Sequence, residues 1–369
     1  MRISIAKDAL KDALSAACRA TAEGNSSPEL ACVLVEAGGD GAVIEATDGT
    51  FSVRASAAAL VEEEGRALVP AARLASLVRA LPDGAVALSA DSRSASVSCA
   101  QASAVLPALD PAGFPAFPRV GDGASVTLPF EPLSAACARA ARFAEKPGKD
   151  GKGGPKCGVL FEWSGGELRV VATDGLRVSI ERLPVAGGGE GSVVAPARLA
   201  ADAAALDCTR TATLACSGRQ VVLRVGGCTL VARRIEGDFP NWRMLDEVAD
   251  PAATAVFDRG QLLGAARRAL AIGRGPGAVG ISLKGEGLPA VVERDLGAEG
   301  RSVDEVECAH ASGSHEACAS PAFLVEALAA VPDDVVSVAL GGGRKPIMFR
   351  TLSGSYRQAV MPVVLPKGR

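Results

Sequence analysis

One unit is written three times along these 369 residues. Arg2-Ile3-Ser4-Ile5 runs into Lys7–Arg19, Ser125-Val126-Thr127-Leu128 into Pro132–Lys146, and Thr254-Ala255-Val256-Phe257 into Asp258–Arg274. Each short piece alternates apolar and polar residues, the pattern of a half-buried strand. Each longer piece has apolar or small residues at helical spacing: Leu10, Leu14, Ala17, Cys18; Leu133, Ala136, Cys137, Ala140; Leu262, Leu263, Ala266, Leu270. The starts lie about 125 residues apart, an ordinary domain length. A second helix recurs at Pro70–Ala80, Pro196–Leu206 and Pro321–Ala330, with proline at its start, where the missing N–H costs nothing. Paired strand patterns follow each time: Ala85–Ser89 and Ser94–Cys99; Ala212–Cys216 and Gln220–Val225; Val335–Leu340 and Ile347–Thr351. The predicted class is α+β: three tandem domains, 1–123, 124–252 and 253–369, each two helices packed on antiparallel sheets.

Two of the copies share Ala-Thr-Asp-Gly between strand-favouring residues, at Ala46–Gly49 and Ala172–Gly175. Asp-Gly between alternating apolar residues is a hairpin-turn signal, which is one reading; a recurring functional element is the other. The first two copies also share a Gly-x-Phe-Pro element, Gly113-Phe114-Pro115 and Gly237-Asp238-Phe239-Pro240. Lys146–Lys156 and Gly187–Gly191 have the glycine-rich composition of flexible loops.

A formal net charge of −3 argues against nucleic acid until its placement is considered. The six helical stretches carry +7 together, leaving −10 on the rest. A basic helical face on an acidic body suits a protein that lines a DNA duplex, because phosphate attraction is local. Ordinary solvated helix faces are the alternative. One Tyr and two Trp leave no aromatic platform for stacking single strands, and no helix-turn-helix, zinc finger or RNA-recognition signature is present. Two His leave little for acid–base catalysis. The ten Cys contain no C-x-x-C pair and behave as small apolar residues. No apolar run reaches membrane-spanning length and Met1–Leu10 lacks signal-peptide form, so a cytoplasmic location is expected.

The triplicated unit, Val171-Ala172-Thr173-Asp174-Gly175, Gly237-Asp238-Phe239-Pro240-Asn241-Trp242 and Val360-Met361-Pro362, in that order, resemble the bacterial DNA polymerase III beta subunit, the sliding clamp. The resemblance implies a head-to-tail homodimer closed into a ring around duplex DNA, with no enzymatic activity and no cofactor. The implied partners are the DNA polymerase III alpha subunit, a clamp-loader ATPase, and other polymerases and repair proteins carrying clamp-binding peptides. It implies a peptide pocket between the second and third domains. By position this comprises Thr173, Gly175, Leu176, Arg177, Val178, Pro240, Met244, Leu245, Val360, Met361, Pro362, Val363 and Val364. Core packing is the alternative for Met361 and Leu176. Leu176 stands where the family usually has His, Met244 where Arg is common, and Lys156 where an apolar residue often lines the pocket. The DNA-facing candidates are Lys7, Lys11, Arg19, Arg73, Arg79, Arg139, Arg142, Lys146, Lys149, Lys152, Arg198, Arg267 and Arg268, with Lys156 ending the basic loop. A paralogue that binds peptides without closing on DNA is the rival reading.

Two other patterns are expected to be incidental. Cys308, His310, His315 and Cys318 have zinc-like spacing but fall on predicted strands around Gly313. Gly341-Gly342-Gly343-Arg344-Lys345 lacks the spacing of a phosphate loop and joins two strands.

Overall fold

The computed structural model describes residues 1–22, 27–39, 41–121, 123–148, 153–187, 189–208, 210–245, 251–273 and 277–363. The six expected helices are α1 Lys7–Ala17, α2 Ala71–Ala80, α3 Phe130–Ala140, α4 Ala197–Ala204, α5 Arg259–Ala271 and α6 Pro321–Ala330. The first helices of the three repeats follow directly on their strands, Arg2–Ala6, Ala124–Pro129 and Ala253–Asp258. The spacing rule placed their buried faces well: Leu10, Leu14 and Ala17, then Leu133, Ala136, Cys137 and Ala140, then Leu262, Leu263 and Ala266 are all buried. Leu270 is 37% exposed instead, one residue from the helix end.

The boundaries depart from expectation at caps. α3 stops at Ala140, six residues early, because Arg142 and Phe143 donate back three residues, to the carbonyls of Arg139 and Ala140, and tighten the chain out of α-geometry. α5 begins at Arg259 because Asp258 is its cap, its Oδ1 accepting from the Gln261 N–H at 2.8 Å. Of the second helices only α6 includes its proline, Pro321; Pro70 and Pro196 occupy the capping position before α2 and α4, with extended ψ.

By contacts the chain divides into two compact units: 1–137, 163–166 and 185–235; and 138–162, 167–184 and 236–369. The division runs through the middle repeat. The first unit is built on a twelve-stranded antiparallel sheet in which Phe51–Glu63 of the first repeat pairs with Cys228–Arg233 of the second, Val53 opposite Leu230. In the second unit Arg177–Pro184 of the second repeat pairs with Tyr356–Val360 of the third, Ser179 opposite Gln358. Adjacent repeats are thus zipped edge to edge, twice, by corresponding strands. Two corresponding strands remain at sheet ends: Ala102–Pro107 in the first unit, and Arg301–Val306 at one end of a four-stranded sheet in the second.

The helices cover these sheets with leucine, alanine and valine. Leu10, Leu74, Val78, Leu262, Leu324 and Leu328 are fully buried, each contributing about 2 kcal/mol by area removed from water. Gly341–Lys345 lies between the strands Val335–Leu340 and Ile347–Arg350, as expected of a connector. Ala309–Gly313 and His315–Ala319 are strands around Gly313, whose φ is 72°. Among the described residues no group of three or more His, Cys, Asp or Glu is gathered for a metal. None of the described helices is long and apolar enough to cross a membrane.

Candidate functional site

Both Asp-Gly segments are hairpin turns, Gly49 and Gly175 each at φ 91°, where a side chain would be strained. Each aspartate ties its own turn. Asp48 Oδ1 accepts from the Thr50 and Phe51 N–H groups at 2.8 Å, and Asp174 Oδ1 from Leu176 and Arg177 at 2.9 Å. Burial works against the Asp48 carboxylate, but those backbone bonds and the bonds from the Thr50 hydroxyl and Arg198 outweigh it and hold its pKa below the usual range.

Around each turn the same three pieces meet. In the first unit Arg198, on α4, reaches Asp48 at 2.5 Å, the Arg19 carbonyl just beyond α1 at 2.5 Å, and the face of Phe51 at 5.0 Å. In the second unit Arg177 sits in the turn itself. It binds Asp174 through Nε at 2.8 Å and Glu326 on α6, and donates to the Arg142 carbonyl at 3.0 Å. Its guanidinium lies 5.1 Å from the Phe143 ring centre and 4.6 Å from that of Phe323. Burial lowers the Arg177 pKa, but Glu326 and Asp174 more than compensate and raise it, so the charge is permanent. Asp202 shows the opposite balance: burial raises its pKa despite Arg198 and Arg19.

The predicted pocket residues separate by depth. Thr173, Val178 and Val360 are buried, and the Thr173 hydroxyl donates to the Arg177 carbonyl at 2.7 Å. Leu176, Met244, Met361 and Val363 are 55%, 65%, 40% and 40% exposed, which core packing does not explain. Met361 N–H donates to the Leu176 carbonyl at 2.8 Å, and Val363 N–H to Cys318, so the tail is stitched along the turn. Pro240 is half-buried, ahead of a short turn Trp242–Leu245 whose Trp242 is buried. Val364 and the side chain of Leu245 lie outside the described residues. Sequence reasoning missed Phe323, Phe143 and Glu326, which hold Arg177. A lone Glu on an otherwise uncharged helix was the available signal. A cavity of about 510 Å³ elsewhere, beside α1 in the first unit, shares no residue with this strip.

The DNA-facing candidates also divide. Lys7 pairs with Asp83, Lys11 with Asp8, Arg19 with Asp202, Arg139 with Glu181, Arg198 with Asp48 and Asp202, and Arg268 with Asp304. Arg139 is mostly buried in that pair and near the Tyr356 ring, a structural position. Arg73, Arg79, Arg142, Lys146 and Arg267 are exposed and have no carboxylate partner among the described residues. Lys149 and Lys152 lie outside the described residues.

Residues 1–118 match the family model for the N-terminal domain of the DNA polymerase III beta subunit, and residues 156–241 match its central domain. Over 99% of its length the chain is 26% identical to the beta sliding clamp of Streptomyces coelicolor, all of which is covered. Its fold matches the solved DNA polymerase sliding clamp of Bacillus subtilis at a TM-score of 0.90, with 19% identity, 99% of this chain and 100% of that one aligned. A Pseudomonas aeruginosa sliding clamp solved with griselimycin matches equally well, at 0.90, 20% identity and the same coverage. An α+β clamp fold is therefore the class. The chain belongs to the DNA polymerase III beta subunit family, the sliding clamps of DNA replication, and is a non-catalytic processivity subunit.

Proposed function

We propose that two copies of this chain close head to tail into a ring that encircles duplex DNA without sequence preference and tethers polymerases through the strip at Leu176, Met244 and Met361. One observation carries the reading: Ala102–Pro107 and Arg301–Val306, each at the end of its sheet, are the counterparts of strands that pair with a neighbouring repeat elsewhere in the chain. Counting across the first repeat, Ile3, Leu88, Val97 and Ala104 lie opposite one another in sequence. The same walk gives Val126, Leu214, Leu223 and Leu230 in the second repeat, and Ala255, Val338, Phe349 and Gln358 in the third. Ala104 is therefore the counterpart of Leu230 and Gln358, which face Val53 and Ser179.

On the other side, Arg139 binds Glu181, two residues after Ser179, and Arg268 binds Asp304, two residues after Ser302. Both arginines stand nine residues into their helices, so Ser302 is the counterpart of Ser179. Ser302 of one copy should face Ala104 of the next. Two such seams close a ring and leave neither edge bare.

The exposed Arg73, Arg79, Arg142, Lys146 and Arg267 are the phosphate-facing set this reading favours, acting through water and phosphates rather than bases. Partner affinity is then multiplied by the raised local concentration of a tethered enzyme. The test is a chain with Ala104→Cys and Ser302→Cys, loaded on nicked circular DNA by a clamp loader and then oxidised. It should form covalent dimers that stay on the circle and leave once the DNA is linearised, against a wild-type control for its native cysteines. Equal loss from circle and line, or no cross-link above control, would refute the ring.

A further inference from the structure

Lys156 stands where the strip of exposed apolar residues meets a turn with no side chain. A Cβ built on Gly175 would lie 3.6 Å from Lys156 Nζ and 3.8 Å from its Cδ. The next residue, Leu176, is 55% exposed and holds Met361 through its carbonyl. The lysine is well placed rather than trailing: its carbonyl accepts from the Glu145 N–H at 2.8 Å, and it lies in the short turn Pro155–Cys157.

Charge accounting singles it out. Arg177 is bound on three sides and its side chain is only 10% exposed. Arg243 is held by Glu162. Among the described residues Lys156 has one carboxylate, Glu145 at 3.4 Å, with the two side chains 41% and 43% exposed. Such a pair holds by about 1 kcal/mol or less, so an arriving carboxylate can share or take the ammonium. A neutral peptide would leave the ammonium no better placed than before, while an acidic one gains a charge-assisted bond next to its apolar contacts.

We propose that Lys156 is a specificity-determining residue that reads a carboxylate on the docked segment, so that this chain prefers apolar peptides carrying an acidic residue. The proposal rests on the strip at Leu176 and Met361 being the peptide site. It is tested by fluorescence anisotropy on the full chain, with a labelled apolar hexapeptide and a series in which one Glu or one Gln is walked through each position. At low salt one Glu peptide should bind about five-fold more tightly than its Gln twin, the upper end for an exposed pair. The gap should close at high salt and in Lys156→Met, and persist in Lys156→Arg. Equal binding of every Glu and Gln pair would overturn the role of Lys156 while leaving the peptide site standing. Failure of the chain to bind any peptide would overturn the site and, with it, this inference.

Discussion

Phe51 and Arg177 occupy the same place, three residues after the turn aspartate, and Arg198 and Phe323 occupy the same place on α4 and α6, just before Leu199 and Leu324. One junction has the ring in the turn and the cation on the helix; the other has them exchanged. The guanidinium-to-ring distances, 5.0 Å and 4.6 Å, survive the exchange, so what is kept is the stacked pair and not the residue at either position. The two versions are not equally buried. Arg198 is 45% exposed and Arg177 10%. Both arginines hold two carboxylates and a carbonyl, so the difference rests on their own burial: Arg177→Met should cost about 3 kcal/mol in denaturant unfolding and Arg198→Met about 1 kcal/mol. Equal losses would mean that burial does not set the difference. The Asp-Gly turns were legible in the sequence because their bonds are local. The arginines were not, because their carboxylate partners lie 149 and 150 residues away.

Among elements, the first helices of the three repeats share a device that no periodicity reveals: each ends on a carbonyl taken by an arginine. Arg198 takes Arg19, Arg177 takes Arg142, and Arg294 takes Ala269 at 3.0 Å and Gly273 at 2.8 Å. A cation at that end satisfies orphan carbonyls and opposes the helix dipole. The sources differ: the following repeat's helix, the repeat's own turn, and the repeat's own strand. Arg294 is 2% exposed. Arg294→Met keeps the bulk and removes the donors, and should cost about 3 kcal/mol while speeding amide exchange in the last turn of α5. Unchanged exchange there would show that the carbonyls find other donors. Helix starts were readable from strand patterns and proline, whereas helix ends depend on these distant donors. One clue was present: Arg294 falls in step with Ala290 and Val292, the inward side of its strand.

At the scale of the whole chain, the threefold repeat is its most legible property, because 125 residues of like pattern cannot arise from turn chemistry. Less visible was how much of the basic helical charge is spent internally: six of the thirteen DNA-facing candidates are bound to carboxylates. Sequence arithmetic nets charge within a helix, as for Lys11 and Asp8, but cannot see partners brought from elsewhere in the chain, such as Asp83, Glu181 and Asp304. The copy-to-copy seam makes a separate demand on the edge strand Ala102–Pro107, where Val105 is 68% exposed. In the proposed register Val105 faces Arg301 of the other copy. Val105→Arg places like charges opposite each other, which is destabilising in a sheet. It should weaken the dimer at least ten-fold in sedimentation equilibrium, towards single chains of 37.2 kDa, with the melting of each chain unaltered. A dimer of undiminished affinity would rule out this edge.

Because Arg294 comes from the same repeat as the helix it finishes, the third repeat asks nothing of its neighbour at that point. Pulling the first repeat from the second would uncover the Arg19 carbonyl and part Arg198 from Asp48, whereas pulling the second from the third would strand Glu326 and leave the Arg142 carbonyl covered. Parting the joint between copies would leave α5 fully terminated. In the proposed ring a loader would meet two such seams, and at each of them α5 keeps the arginine that finishes it.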